Sequence, residues 1–399
     1  MRSGENKWEL CYPGKKELSV EFFPSAELIP VGSIGKGLRN NNENLLVFGE
    51  NRGVLRTLLE ESSIREKVQL VYIDPPFSTK SVFRIGNDRG ATVSSSSKDR
   101  VAYQDVLSGP KYFEFLRERF FLLREILSDQ GSIYVHIDTK IGHYVKILLD
   151  EVFGSERFIN DITRIKSNPK NFSRKGYGNI KDMILFYSKT KDYIWNEPRE
   201  DYSEADLKRL FPRINPHGRR YTTVPLHAPG ETLNGDTGKP WRGIMPPKGR
   251  HWRYSPEILE QLDLEGKIEW SRNNVPRLII YAEEKKKVGK KVQDVWEFKD
   301  PQYPSYPTEK NILLLKRIVS ASSEKGGLVL DAFMGAGTTL VASEELGRRW
   351  IGIDNSIEAF QTAYSRLISF EELSKTNILS EKTALKEIKK VLGLSASFT

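Results

Sequence analysis

Leu328-Val329-Leu330-Asp331-Ala332-Phe333-Met334-Gly335-Ala336-Gly337-Thr338-Thr339 runs from a short apolar stretch through an acid into a glycine-rich turn and a helical pattern. Such a run reads as a buried strand feeding a helix. Glycines at the turn let a ligand come close to the backbone. A phosphate-cradling loop needs Gly-Lys-Ser/Thr, and no lysine follows Gly337. A dinucleotide-binding loop wants a third glycine where Leu340 stands. What remains is a nucleoside pocket without a pyrophosphate. The next strand ends at Ile353-Asp354, about 17 residues on, an acid spaced to bind ribose hydroxyls.

Working outward, Leu45–Phe48, Leu70–Ile73, Ser132–Ile137, Met183–Tyr187 and Trp350–Ile353 also read as buried strands. Helical patterns lie between them at Tyr112–Leu127, Ile141–Phe153 and Ile312–Ala321, and Ser343–Gly347 ends at a glycine suited to a helix stop. Strands alternating with helices predict an α/β fold with a doubly wound, mostly parallel sheet. From about Ser188 to Val295 the alternation is lost in a stretch rich in Pro, Gly and Arg. The predicted organisation is an N-terminal extension (1–43), one half of the α/β domain (44–190), an inserted smaller domain (191–293), the second half (294–368) and a peripheral helical tail (369–399) with helical character at Thr383–Leu392. The polar segment Ser78–Ser108, with its Ser94–Ser97 run, predicts a long mobile loop.

A second strand-end loop completes the candidate site: Val71-Tyr72-Ile73-Asp74-Pro75-Pro76-Phe77. Ligands of open α/β sheets bind at the C-terminal ends of strands. Two prolines stiffen the turn and remove backbone donors, so the carbonyls there act as acceptors. Asp74 is a further acceptor and Phe77 a flat apolar face. Acceptors beside a stacking surface suit an aromatic ring bearing an exocyclic amine, such as a nucleobase.

Composition agrees with a nucleic-acid partner without proving one. The 399 residues carry a net charge of +9. Residues 161–300 hold 28 basic and 20 acidic side chains, which is +8 of that surplus, and five of the seven tryptophans: Trp195, Trp241, Trp252, Trp270 and Trp296. Basic residues mixed with aromatics fit a nucleic-acid surface, and equally a solvated insertion whose tryptophans fill a small core. Arg219-Arg220, Lys248, Arg250, Arg253, Lys285, Lys286 and Lys287, with Lys290 and Lys291, are the candidate phosphate contacts. The single cysteine, Cys11, excludes a disulfide framework and a Cys-rich metal site, and is expected to be buried or half-buried. His136 and His143 are expected to flank the sheet as ordinary polar contacts, and no metal is assigned. No apolar run approaches a membrane span and the N-terminus lacks an apolar signal core, so a cytoplasmic protein is expected.

These motifs together resemble the amino-group DNA methyltransferases that use S-adenosylmethionine. Asp74-Pro75-Pro76-Phe77 matches their catalytic tetrapeptide and Phe333-Met334-Gly335-Ala336-Gly337-Thr338 their cofactor loop. The catalytic motif comes first, as in the circularly permuted beta group. Leu46–Asn51, Gly131–Asp138, Asp182–Lys189, Asp294–Trp296 and Tyr306–Lys310 resemble further family segments, although the family usually has Asp where Glu50 stands. The resemblance implies a methyltransferase-type α/β fold, circularly permuted, with the inserted domain as target-recognition domain and double-stranded DNA as substrate. It implies that Asp74 and the Pro75 carbonyl accept the two hydrogens of the target amine and that Phe77 stacks on the flipped base. It places Phe333, Gly335, Gly337 and Thr338 at the methionine end of the cofactor, Asp331 beside it, Asp354 at the ribose, Thr308 and Lys310 near the carboxylate, and Glu50 in the same site. Thr308 also reads as a helix N-cap. Adenine N6 is the expected target, because the cytosine-N4 relatives more often carry Ser where Asp74 stands. Cytosine N4, an inactive DNA-binding homologue, and an RNA or protein substrate are the alternatives. Methylation at cytosine C5 needs a thiolate and is excluded by the isolated Cys11. A cognate restriction endonuclease, an orphan role and homodimer formation are all plausible from the family; the Tyr112–Phe153 helices fit either a pairing surface or core.

Overall fold

The structure, a computed structural model, describes residues 9–35, 43–76, 82–85, 100–104, 109–169, 175–302 and 309–393. The chain divides into two compact units, one of residues 1–196 with 293–399, the other of residues 197–292.

The larger unit is built on one ten-stranded sheet. Its strands are β1 (Leu28–Ile34), β2 (Asn44–Phe48), β3 (Val68–Ile73), β4 (Leu127–Ile137), β5 (Phe158–Ile165), β6 (Lys181–Ser188), β7 (Val295–Glu297), β8 (Leu328–Asp331), β9 (Arg349–Asp354) and β10 (Thr376–Glu381). The spatial order is β1-β10-β2-β9-β8-β3-β4-β6-β5-β7. Pairing is parallel from β10 through β4 and between β5 and β7; β1 and β6 run antiparallel to their neighbours. Two strands far apart in sequence, β3 and β8, therefore lie side by side and end together.

Alternation along the strands feeds two cores. Val47, Val71, Ile73, Val135, Leu330 and Ile353 face one side of the sheet, under helices α1 (Asn51–Leu58), α2 (Pro110–Ile126) and α3 (Gly142–Phe153). Leu46, Phe48 and Trp350 face the other, against α5 (Thr338–Glu345) and α6 (Ile357–Ile368). Strands covered on both faces explain why they read as unbroken apolar runs. Helix α4 (Ile312–Ser322) starts with Asn311, whose side chain accepts from Leu313 N at 2.9 Å. Asn311, not Thr308, is the N-cap, and Thr308 lies outside the described residues.

Several expectations are corrected here. Described residues of both terminal segments, 28–34 and 376–381, are strands of the sheet. β10 inserts between β1 and β2, and β1 forms the edge. The burial alternation of β10 falls on Thr376, Ile378 and Ser380, and two polar residues in three hide the strand from a hydrophobic scan. Within Ser78–Ser108 the described residues include two paired strands, Val82–Ile85 and Arg100–Gln104; Ser94–Ser97 lies outside them. Phe120 is core and Phe113, Phe115 and Phe121 pack against it, so this aromatic richness serves the fold of the chain itself. Cys11 is exposed, between Leu10 and Tyr12, which pack on the core. Among the described residues, no helix is long and apolar enough to cross a membrane.

The smaller unit holds a four-stranded antiparallel sheet in the order Arg213–Ile214, Arg220–Pro225, Pro276–Tyr281, Ile268–Trp270. Trp241 and Trp252 are buried with Leu226, Leu259, Ile268 and Leu278, and Trp270 stacks on Trp241 at 5.2 Å. These tryptophans fill a small core. Trp195 and Trp296 belong to the larger unit.

Candidate methyl-transfer site

The C-terminal ends of β2, β9, β8 and β3 meet at one cavity of about 300 Å³. It is within the usual range for small-molecule sites, whose lower end is roughly 300 Å³. Asp74, Pro75 and Pro76 form one side; Asp331, Phe333, Gly335, Thr338 and Asp354 form another; Glu50 and Lys310 complete the wall. Gly337 is not part of the wall. Its φ of +73° starts α5, and a Cβ there would stand 2.9 Å from the Cβ of Ala363. That glycine is required by backbone conformation and helix packing. Phe77 lies outside the described residues.

The acids divide into two kinds. Asp331 and Asp354 shape the loop. Asp331 Oδ1 accepts from Phe333 N at 3.0 Å and Oδ2 from Thr339 Oγ1 at 2.5 Å. Asp354 Oδ2 accepts from Gly335 N at 2.9 Å and Oδ1 from Ser356 N at 2.8 Å. Burial pushes both carboxyls up, Asp331 to about 7, against the pull of these donors. Asp74 is different. Its Oδ2 accepts from the Lys310 ammonium, and its Oδ1 is buried with no hydrogen-bond partner among the described residues. An unpartnered buried carboxylate oxygen is costly, and a donor from a ligand relieves it. The ammonium of Lys310, expected at the cofactor's carboxylate, pairs with Asp74.

Residues that the sequence reading passed over make the frame. Asn51 donates to the Ala332 carbonyl at 2.8 Å and accepts from Arg119 Nε at 2.5 Å. Arg119 also pairs with Glu50 and lies 3.5 Å over the Phe115 ring, which meets the Phe333 ring at 6.0 Å. Glu50 Oε2 caps α1 by accepting from Gly53 N at 3.2 Å. Arg366 donates to the Ala336 carbonyl at 3.0 Å and Thr338 Oγ1 at 3.1 Å. Tyr112 donates to the Pro76 carbonyl at 2.5 Å, which commits that acceptor to the turn. Glu50 and Asn51 close the Leu46–Asn51 segment. The others come from helix faces with no local signal.

Asp331 gives the site a pH signature. The folded protein keeps this proton up to pH about 7, while an unfolded aspartate loses it near pH about 4. Between those values the native state binds more protons, so stability falls as pH rises and levels off above the folded value. Asp331→Asn removes this slope. In cofactor-free protein, the melting temperature of the variant minus that of the wild type should grow from pH 4 to pH 7 and then stay flat. A difference that does not change with pH would show that Asp331 does not carry that proton.

An acid-rich cavity with a nucleoside-sized turn, beside a carboxylate short of a donor, defines an α/β methyltransferase with an amine acceptor. The residues present fit S-adenosylmethionine. The glycine turn admits close backbone approach, and Asp354 has acceptor capacity left for ribose hydroxyls. The family model for N6 and N4 amino-methyltransferases, described as DNA methylase, matches residues 68–365. The chain belongs to that family: it is a DNA amino-methyltransferase with S-adenosylmethionine as methyl donor. The type II methyltransferase M.EcaI of Enterobacter cloacae is 41% identical over 365 residues, covering 90% of this chain and 77% of that protein. The Mod subunit of the type III restriction-modification enzyme StyLTI of Salmonella typhimurium is 26% identical over 351 residues, 75% of this chain and 49% of that one. The chain thus spans about half the length of that type III relative. Among solved structures, the M1.HpyAVI–SAM complex aligns at a TM-score of 0.42 and 16% identity, over 81% of this chain and 99% of that one.

The basic candidates of the smaller unit fall into two groups. Arg219 pairs with Glu283 at 2.8 Å and lies over Tyr281; Arg220 and Arg253 donate to the Phe211 and Pro225 carbonyls; Arg250 meets His227 at 3.2 Å; Lys290 bridges Glu200 and Asp206; Lys291 pairs with Glu197. Lys248, Lys285, Lys286 and Lys287 are exposed.

Proposed function

We propose that this enzyme methylates the N6 amino group of an adenine flipped out of double-stranded DNA at a specific sequence. The observation that carries this reading is Asp74, a residue of the cavity wall whose Oδ2 is on Lys310 and whose buried Oδ1 has no hydrogen-bond partner among the described residues. An aromatic amine is a poor nucleophile because its lone pair is delocalised into the ring. Acceptors on its two hydrogens, Asp74 Oδ1 and the Pro75 carbonyl, draw the nitrogen toward tetrahedral geometry and stabilise the positive charge that develops. When bound, S-adenosylmethionine would supply the methyl group to that nitrogen, and the nitrogen's surplus proton would leave to solvent. Pro76 stiffens the turn, and the family resemblance gives Phe77 the task of stacking on the flipped base, whose unstacking costs a few kcal/mol. Asp354 takes the ribose, with Phe333, Gly335 and Thr338 at the methionine end. Asp331, Gly337 and Glu50 shape the loop around it, and the family resemblance assigns Thr308, outside the described residues, to the carboxylate.

The leading Asp74 favours adenine over cytosine, as the family resemblance implies. The smaller unit is the target-recognition domain. Lys248 and Lys285–Lys287 contact phosphates, while Arg219, Arg220, Arg250 and Arg253 are first held by their partners within the unit. The role is methylation in restriction–modification, with a cognate endonuclease as a separate partner.

The test is nucleoside mass spectrometry of DNA from a host without DNA methylases of its own, expressing the wild type or Asp74→Ala. N6-methyladenine present only with the wild type is the expected result. N4-methylcytosine in its place would overturn the choice of base and leave the DNA amino-methyltransferase.

A further inference from the structure

Tyr72 lies two residues before Asp74 on β3 and lines the same cavity, yet the chemistry above gives it no task. Its side chain opens a buried polar chain that crosses the sheet. Tyr72 Oη lies 2.9 Å from Nδ1 of His136 on β4. His136 Nε2 lies 3.3 Å from Oδ2 of Asp182 on β6. Asp182 Oδ1 accepts from Lys166 Nζ at 2.6 Å, and Arg164 Nη1 stands 3.6 Å from Oδ2. Arg164 is wholly buried; it donates through Nε to the Phe298 carbonyl at 2.8 Å and through Nη2 to Asp300 at 2.5 Å. His136 is thus not a polar contact at the flank of the sheet, as its sequence suggests, but sits inside it. His143 is exposed.

The donors and acceptors have one consistent direction. Burial pushes the Asp182 carboxyl up, but His136 and Lys166 outweigh it and hold it well below the usual carboxylate range. A carboxylate only accepts, so Nε2 of His136 carries a hydrogen. Burial lowers the pKa of His136, so the ring is neutral and Nδ1 is left as the acceptor. Tyr72 therefore donates to Nδ1. The tautomer is fixed by the acid behind it, as in other Asp–His–hydroxyl arrangements. Burying such groups in a sheet core stabilises less than apolar packing does. They are better explained by what they hold in place.

We propose that Tyr72, His136 and Asp182 are positioning residues for methyl transfer, bracing the β3 end that carries Asp74 and, through Arg164, the 298–300 segment on the way to Lys310. This rests on the reading of Asp74 as the amine's acceptor. Tyr72→Phe removes one hydroxyl and keeps the ring. Asp182→Asn keeps the shape but inverts the chain. Its Oδ1 must face the donor Lys166, so its Nδ2–H faces Nε2, and His136 shifts its hydrogen to Nδ1.

The experiment uses the purified full chain. For each variant, kcat at saturating cofactor, cofactor Kd, melting temperature and the ¹⁵N spectrum of His136 are measured, on whichever base the wild type methylates. In both variants kcat should fall about 10-fold or more, because small displacements at a reacting centre are costly. Cofactor Kd should stay within about threefold, since only the transfer step is touched. The spectrum should show the Nε2–H tautomer in the wild type and Nδ1–H in Asp182→Asn. The double variant should be no slower than the slower single one, because both act through one chain. A Tyr72→Phe enzyme with wild-type kcat, whatever its melting temperature, would overturn the proposal. So would an equal loss in cofactor affinity. An active Asp74→Ala enzyme would instead refute the reading of Asp74 itself.

Discussion

Asp74→Ala should lower kcat by about 10²–10³, the range seen when one preorganised partner of a developing charge is removed, while cofactor Kd stays within about threefold. The reason lies in how the two carboxylate oxygens are divided. Oδ2 is taken by Lys310, and Oδ1 is buried without a partner among the described residues. Only Oδ1 is in need of a donor, and the amine's hydrogen is the donor the reaction brings. Asp74→Asn should be no milder than alanine. An amide has one acceptor oxygen and one donor nitrogen. Lys310 only donates, so the oxygen turns to it and the amide hydrogens turn toward the amine, where an acceptor is needed. Single-turnover methyl transfer with both variants checks this. An asparagine enzyme near wild-type rate would show that Asp74 is not the amine's partner.

Much of this was legible in the sequence, for a physical reason. Strands covered on both faces are unbroken apolar runs, so β2, β3, β8 and β9 stand out, and each ends in a loop that carries chemistry. The parallel order of the sheet then places Asp74 and Asp331 side by side at the ends of β3 and β8. The illegible parts share a different property. β10 alternates on threonine, isoleucine and serine. β7 is a strand of three residues at the sheet edge. Neither has a hydrophobic signature. Buried charge is harder still. Arg119, Glu114, Arg117 and Glu118 sit on α2 and are nearly all buried. In sequence they read as a solvated helix face, because their partners, such as Glu50, Asn51 and Lys16, come from far along the chain.

The same limit explains the candidate basic residues. Charge surplus in 161–300 says that a polyanion fits. It does not say which cations are free for it. Arg219 is held by Glu283 and Tyr281, whereas Lys285, Lys286 and Lys287 are exposed. Spacing alone could not separate them.

Lys310 has two candidate roles, at the cofactor's carboxylate as the family resemblance implies and on Asp74 as its ion pair suggests, and Lys310→Met separates them. If the lysine served the cofactor's carboxylate, the variant would show a cofactor Kd raised about 10-fold or more, with kcat near normal once cofactor saturates. If it serves Asp74, the pattern reverses. Cofactor Kd changes little, and kcat falls about 10²-fold, because Asp74 loses its orientation and the cation paired with it. Stability should fall as well. A hydrogen bond to a charged group is worth roughly 1.5–3 kcal/mol. Lys310 is 8% exposed and the Asp74 side chain 17%, so solvent can replace only part of the pair. A melting temperature lower by several degrees follows. Lys310→Arg restores the charge but not the reach or the point geometry. It should recover stability more fully than kcat, a separation that lost cofactor binding would not produce.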